Sequence, residues 1–464
     1  MRLIVEGGTV VSPRGRVRAD VLCEDGVIAA VLAPGRAVDA DVHVDAGGLL
    51  VFPGFIDPHV HTRDPGITDK EDFAGATAGA LASGVTTIFD MPNAAPPVTD
   101  AGVFAARAAH HEAVAAVDFG LWGQALGDEN LADLGGLVDA GAVGIKLFWG
   151  YALDRASGRL VYTSADAQDA DVVAPPDVGG VYRIVAAVAQ AGGLFSAHCE
   201  ESGVLAAAAA ALGGPADTYA AFLAARPPVA ESAAVALVVE FARALGCRVH
   251  IVHVSAGRTA EVIAAAQRDG VAISAEACVH YLVLSDEDYP RIGPGMKVYP
   301  PIRTRAEQDA LWDAIAAGTL TVIASDHAPH TPLEKAGPLA DQPAGLHGVQ
   351  TLVPLVLDQM ARGRLTPEQV AGLLGANAAR HFRIDHRKGA VRVGLDADIT
   401  LVDPDHAWTL DASDLRTKHQ LSVFAGMRGR GAAVASVLRG ELLMRDGEPV
   451  GAARGRLVRA RSAA

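Results

Sequence analysis

The chain has 464 residues, 39 Lys plus Arg against 54 Asp plus Glu, a formal net charge of -15 and an apolar fraction of 50%. That length is enough for two or three domains and a large buried core, and the composition excludes intrinsic disorder as the overall state. The acidic balance argues against a nucleic-acid surface, which needs a basic footprint, but says little about small acidic ligands.

Four cysteines, Cys23, Cys199, Cys247 and Cys278, show no C-x-x-C pairing and are too few for a disulfide scaffold. Free buried thiols in a reducing compartment are expected. The N-terminal MRLIVEGGTV lacks a long apolar run, so no signal peptide is expected, and Ala-rich runs such as Val204 to Leu212 are too short to span a bilayer. The expectation is a cytoplasmic protein with no membrane partner.

Residues 1–50 read as short strands with Gly-containing turns, and DVHVDA alternates with a period near two. The segment 392–464 reads the same way, in DADITLVDP and GAAVASVLRGELLMRDGEPV. Between them, across 51–391, short apolar runs alternate with Ala-rich helical patterns. GVTTIFDM, VGIKLFW, GLFSAHC, RVHIVHVS, VAISAEACV and LTVIASDHA are the strand candidates. FAGATAGALAS, AVALVVEFARAL, RTAEVIAAAQRDG and RAEQDALWDAIAAG are among the helices. Buried-type strands separated by helices predict an α/β parallel sheet with helices outside. The pattern favours a (β/α)₈ barrel and leaves an open doubly wound sheet as the alternative. The polar, acidic stretch 151–180 breaks the rhythm and is either a surface excursion or a loop over the site.

Several apolar runs end in a polar residue, where a barrel would place its active site. His59 and His61 form an H-x-H pair, and alternation along a strand puts both imidazoles on one side. His198 follows GLFSA, His253 follows VHIV and Asp326 follows TVIAS. Four histidines and an aspartate suit a borderline metal such as zinc. Each alone could be a satisfied core residue; the set of five is the stronger sign. Lys146, in VGIKLFWG, would be costly to bury unpaired, and carbamylation would turn its amine into an anion able to bridge two metals. No strand-linked G-x-G-x-x-G and no G-x-x-x-x-G-K-[ST] is present, so Rossmann and P-loop readings fail.

The chain resembles the cyclic amidohydrolases of the amidohydrolase superfamily, which include dihydroorotases, allantoinases, hydantoinases and dihydropyrimidinases. The resemblance rests on PGFIDPHVHTRDPG, GVTTIFDMPNAAPPVT, GIKLFWGY, AHCEE, HIVHVS, EACVHYL, KVYPPIR, ASDHAPH and GLDADITLVD, in that order along nearly the whole chain. It implies a (β/α)₈ TIM-like barrel flanked by a small β-sandwich built from both chain ends. It further implies two zinc ions per subunit: His59, His61 and Asp326 on the first, His198 and His253 on the second, and carbamylated Lys146 bridging them. A metal-bridging hydroxide would then open the C–N bond of a cyclic amide or ureide, with Asp326 moving the proton and Tyr151 facing the oxyanion.

Arg63, Asn93 and His330 match residues that grip the substrate carboxylate in dihydroorotases, so the primary expectation is a dihydroorotase-like enzyme for a ring bearing a carboxylate. Tyr299 and Val279 depart from that pattern. EAC-HYL resembles allantoinases, and Lys146 with Tyr151 resembles hydantoinases. Allantoinase or hydantoinase/dihydropyrimidinase activity is therefore the alternative. GLHGVQT is a further candidate for backbone contacts to the ring amide. The family resemblance also implies a homo-dimer or homo-tetramer acting on a small molecule. A non-catalytic scaffold relative and a mononuclear deaminase, which would not need Lys146, are the competing classes.

Overall fold

Most of the apolar runs, such as VTTIFD and RVHI, become strands because they are rich in β-branched or aromatic residues and are bounded by a turn or a helix cap. The computed structural model describes residues 1–155, 160–161, 171–452 and 454–462. Parallel strands follow one another in chain order: Phe55–Val60, Val85–Asp90, Asp118–Leu121 continued by Gly123–Gln124, Ile145–Phe148, Leu194–His198, Arg248–Ile251, Ile273–Cys278 and Val322–Ala324. Neighbours pair in parallel from the first to the third and from the third to the eighth.

The eighth position then closes on the first. Val60 bridges His327 in parallel, the His61 amide donates to the His327 carbonyl at 2.7 Å, and Asp57 Oδ1 accepts the Ser325 amide at 3.1 Å. The architecture is thus the (β/α)₈ barrel rather than the open sheet. Helices Phe73–Ala82, Ala101–Glu112, Val178–Gln190, Pro228–Leu245, Gly257–Arg268 and Arg305–Ala316 pack outside it. Several begin on an acidic cap: the Asp72, Asp100 and Asp177 side chains each accept a first-turn amide, which satisfies a donor the helix leaves unpaired.

Both chain ends meet in a second sheet. Strands Arg2–Ser12, Gly15–Glu24, Val27–Leu32, Val42–Asp45 and Leu50–Pro53 join Ile399–Thr409, Arg428–Leu438, Glu441–Arg445 and Glu448–Pro449 in nine strands. Leu3, Val5, Val21, Ile28, Ile399 and Val437 form its separate apolar core. A β domain built from both chain ends is what the fold class predicts, and near the end of the chain the backbone leaves this sheet. Leu457 bridges Phe119 of the third barrel strand, the Val458 amide donates to Phe119, and Ala460 reaches Gly141. An unpaired backbone edge at the foot of the barrel is satisfied this way, which alternation in the sequence does not reveal.

Between the two domains Lys388 is buried with Nζ 2.6 Å from Asp118, 2.5 Å from Asp398 and 2.9 Å from Asp396. Asp118 opens a barrel strand and Asp398 precedes a strand of the β domain, so the cation ties the two together. Lys388→Met should leave buried carboxylates uncompensated and cost about 3–5 kcal/mol of stability. Urea unfolding checks this; a loss under about 1 kcal/mol would show the cluster to be dispensable.

All four cysteines are free and buried. The one described helical stretch long and apolar enough to cross a membrane is Tyr219–Leu245, and 44% of its apolar window is buried within the fold. Val235, Val238 and Ala242 of that stretch belong to the main core.

Candidate active site and metal centre

At the carboxyl ends of the barrel strands one pocket is lined by His59, His61, Lys146, His198, His253 and Asp326, together with Arg63, Asn93 and Tyr151. The six predicted ligands therefore converge from five different strands or strand ends, as the barrel topology requires. His59 lies in the first strand with His61 just past it. Lys146 lies in the fourth, His198 ends the fifth, His253 follows the sixth and Asp326 follows the eighth. Register brings neighbours together: Phe148 sits opposite His198, and Lys146 opposite Ser196.

Asp326 Oδ1 is 3.2 Å from His59 Nε2 and 3.4 Å from His61 Nε2, and one donor atom from each of the three lies within 4.8 Å of the others. On the other side His198 Nδ1 faces His253 Nε2 at 3.0 Å. Glu200 holds His198 Nε2 at 2.9 Å, which assigns the proton to that nitrogen and turns the Nδ1 lone pair toward His253. Two converging imidazole nitrogens of this kind fit a shared cation. Burial lowers the pKa of His61 to about 4 and also depresses His198 and His253, so these rings are neutral and ligand-competent near neutral pH. Burial by itself would raise the Asp326 pKa. The neighbouring imidazoles of His59 and His61 outweigh it and hold the carboxylate well below its usual range.

Lys146 is 0% exposed, and among the described residues its Nζ has no hydrogen-bond partner. Burial pulls its pKa down to about 8. The Phe148 ring centroid lies 5.4 Å from Nζ, and among the described residues the amine is buried beside metal-type ligands with its hydrogen-bonding capacity unused.

Backbone strain marks the same place. Among the described residues seven non-glycine positions have positive φ, and three of them, Arg63 (62°), His253 (39°) and Asp326 (45°), line this pocket. Left-handed backbone at a non-glycine residue costs energy and persists where the surroundings dictate the side chain's aim.

Some functional groups escape sequence reasoning. Glu276 Oε1 holds His59 Nδ1 at 2.5 Å, while Oε2 holds His250 Nε2 at 3.1 Å. Glu276 thus fixes the ring of a candidate ligand from the seventh strand. Its signal was present, since a glutamate inside the apolar run ISAEAC needs a buried partner. Phe148, Leu160, Val298 and Tyr299 supply the apolar and aromatic wall.

The three residues expected to grip a carboxylate lie at different depths. Arg63 lines the pocket, and its Nε donates to the Pro329 carbonyl at 3.3 Å. Asn93 lines it too, and its Oδ1 accepts from His61 Nδ1 at 2.8 Å, which supports the ring of a candidate ligand. His330 is one layer back and is absent from the lining. Its Nδ1 meets Lys70 Nζ at 3.0 Å and its Nε2 meets the Ala344 carbonyl at 3.0 Å, so both ring nitrogens are committed to protein. Four-residue spacing from Asp326 put His330 near the site; only the path of the 338–347 loop turned it away. That loop presents Gly345, where a Cβ would stand 2.2 Å from the Ala328 carbonyl oxygen, and Lys335 Nζ holds the Gly345 carbonyl at 3.1 Å. Only glycine allows this close approach.

The stretch 151–180 does reach the pocket. Ala152–Asp154 pairs with Leu160–Val161 and with Val172–Val173 in a three-stranded antiparallel sheet, and Tyr151 and Leu160 line the cavity. Residues 156–159 and 162–170 of that segment lie outside the described residues.

A TIM-type barrel with histidine, aspartate and lysine gathered at its carboxyl end defines a metal-dependent hydrolase class. Comparison with known proteins agrees. The amidohydrolase family model matches residues 50–443. An allantoinase of Rubrobacter xylanophilus is 39% identical over 461 residues, covering 98% of this chain and 97% of that protein. A dihydroorotase of Geobacter sp. strain M21 is 32% identical over 461 residues, covering 96% of this chain and 100% of the relative. Among solved structures, the L-hydantoinase (dihydropyrimidinase) of Arthrobacter aurescens superposes with a TM-score of 0.91 at 31% identity, covering 98% of this chain and 99% of that one. The chain belongs to the amidohydrolase family, in its cyclic amidohydrolase branch.

Proposed function

We propose that this protein hydrolyses the ring C–N bond of a cyclic ureide, with an allantoin-type ring as first candidate. The convergence of His59, His61, Lys146, His198, His253 and Asp326 on one pocket carries the hydrolytic reading. It also disfavours a non-catalytic scaffold, which would have no use for a fully buried lysine amine among ligand-competent imidazoles. The ureide is favoured over dihydroorotate by two observations. A relative named allantoinase is 39% identical, against 36% and 32% for relatives named dihydroorotase, and of the three expected carboxylate-gripping groups His330 has both ring nitrogens engaged by protein.

The donor set of imidazole, carboxylate and an anionic lysine derivative fits two zinc ions: His59, His61 and Asp326 at one, His198 and His253 at the other, carbamylated Lys146 between them. When bound, the ions supply a water of lowered pKa and polarise the scissile carbonyl. The remaining work belongs to the chain. Asp326 accepts the proton of the attacking water on a carboxylate oxygen and delivers it to the ring nitrogen as the C–N bond breaks and the C–O bond forms. Tyr151 donates its hydroxyl hydrogen to the carbonyl oxygen as negative charge grows there. The Gly345 backbone orients the ring, Arg63 faces the position of an acidic substituent, and the aromatic wall excludes bulk water.

Purified protein loaded with zinc should open allantoin faster than dihydroorotate, dihydrouracil or substituted hydantoins in a parallel assay. Preference for dihydroorotate would restore the carboxylate reading, and no ring opening at all would defeat the hydrolase assignment. Arg63→Met sharpens the choice: kcat/KM on dihydroorotate should fall about 10–100-fold, the value of one charge-assisted contact, with neutral hydantoins spared. Equal losses on both would refute a carboxylate contact by Arg63. The family also leads us to propose a homo-dimer or homo-tetramer, which light scattering checks.

A further inference from the structure

Arg226 stands at the junction of helices Tyr219–Ala225 and Pro228–Leu245, with its side chain only 12% exposed. Its Nε donates to Glu200 Oε1 at 3.2 Å, and its Nη2 donates both to Glu200 Oε2 and to the Tyr151 hydroxyl oxygen, the latter at 2.5 Å. The guanidinium also lies over the Tyr299 ring, 3.7 Å from its centroid. Its backbone is pinned as well, since the Arg226 carbonyl accepts from Arg303 Nη1 at 2.8 Å. One cation therefore links the carboxylate behind candidate ligand His198 to two tyrosines of the pocket wall.

The direction of the Tyr151 contact has a chemical consequence. A guanidinium carries donors and no acceptor, so toward Arg226 the phenol acts only as acceptor. The phenolic hydrogen must be directed to some other acceptor. Tyr151 lines the pocket, and its ring meets His198 edge-on with centroids 4.9 Å apart. A hydroxyl that accepts from a cation is also a stronger donor, because the bonds polarise one another. Without the guanidinium a rotatable phenol could equally accept from a ring N–H, the wrong group to favour.

We propose that Arg226 is a positioning residue that holds Tyr151 as a one-way hydrogen donor, so that the substrate atom facing Tyr151 is a carbonyl oxygen and not a ring N–H. The assignment rests on the ring-opening function proposed above. The competing reading is that Arg226 merely neutralises Glu200 and keeps His198 in place for the metal.

A double-mutant cycle separates the two on whichever ring the zinc-loaded wild type opens fastest. Arg226→Met should lower kcat about 10²-fold, as loss of one oxyanion donor does, with metal content unchanged and KM within about threefold. In a Tyr151→Phe background the same change should cost less than about threefold, because the group it positions is gone. Arg226→Lys, which keeps a donor-only cation, should recover part of the loss. Equal cost of Arg226→Met in both backgrounds overturns the proposal, as does loss of metal that parallels the loss of rate. Should the wild type open no ring, the functional reading fails by itself, and crystal structures of the metal-loaded wild type and Arg226→Met then decide this assignment. A Tyr151 hydroxyl displaced while His198 and Glu200 stay supports it; an unmoved hydroxyl overturns it.

Discussion

Replacing Asp326 with Asn should reduce kcat by about 10⁴-fold or more on any ring the wild type opens. The upper range of a general acid–base contribution is about 10⁴, and a carboxylate ligand is lost with it. Asp326 Oδ1 lies 3.2 Å and 3.4 Å from the Nε2 atoms of His59 and His61, and the surrounding imidazoles keep the carboxylate ionised. A side-chain amide of the same shape has neither the charge nor the basicity to take a proton from water. Metal analysis of the purified variant separates the two losses: metal retained with activity gone isolates the proton-transfer role. A rate within about tenfold of wild type would remove Asp326 from the chemistry.

Replacing Lys146 with Ala should lower bound metal from two ions per chain toward one or none, with activity falling in step. The reason is local. Lys146 is fully buried, its Nζ has no hydrogen-bond partner among the described residues, and burial brings its pKa to about 8, so a usable fraction of neutral amine exists to react with carbon dioxide. The resulting carbamate would put an anion between two sets of neutral imidazoles. Short carboxylic acids such as acetate or propionate should restore part of the metal content and rate of the Ala variant by filling the vacated space with a carboxylate. Unchanged metal content in Lys146→Ala would reject the bridging role, and metal loss without chemical rescue would restrict Lys146 to a structural one. A native mass about 44 Da above the chain mass is an independent check, because that increment is what addition of carbon dioxide to an amine gives.

The candidate ligands stand out in the chain alone, because chemistry and burial conflict locally. A histidine, aspartate or lysine closing an apolar strand is expensive unless something repays its desolvation, and that conflict is visible without coordinates at His59, His61, Lys146, His198, His253 and Asp326. The alternation of buried strands with helices, and the two β-like ends, likewise followed from periodicity, a local property. Which groups hold the candidate ligands in place was decided by tertiary structure. Glu276 and His59 are separated by 217 positions, and Arg226 and Tyr151 by 75, so no local pattern pairs them. His330 shows the converse: its spacing from Asp326 was suggestive, but the loop carrying Ala344 and Gly345 absorbs its Nε2 and screens it from the cavity. Barrel closure was of the same kind, resting on contacts between His61 and His327 and between Asp57 and Ser325. Residue type and strand position determine which groups are costly to bury and so must have partners; which partner each one finds depends on how distant segments pack.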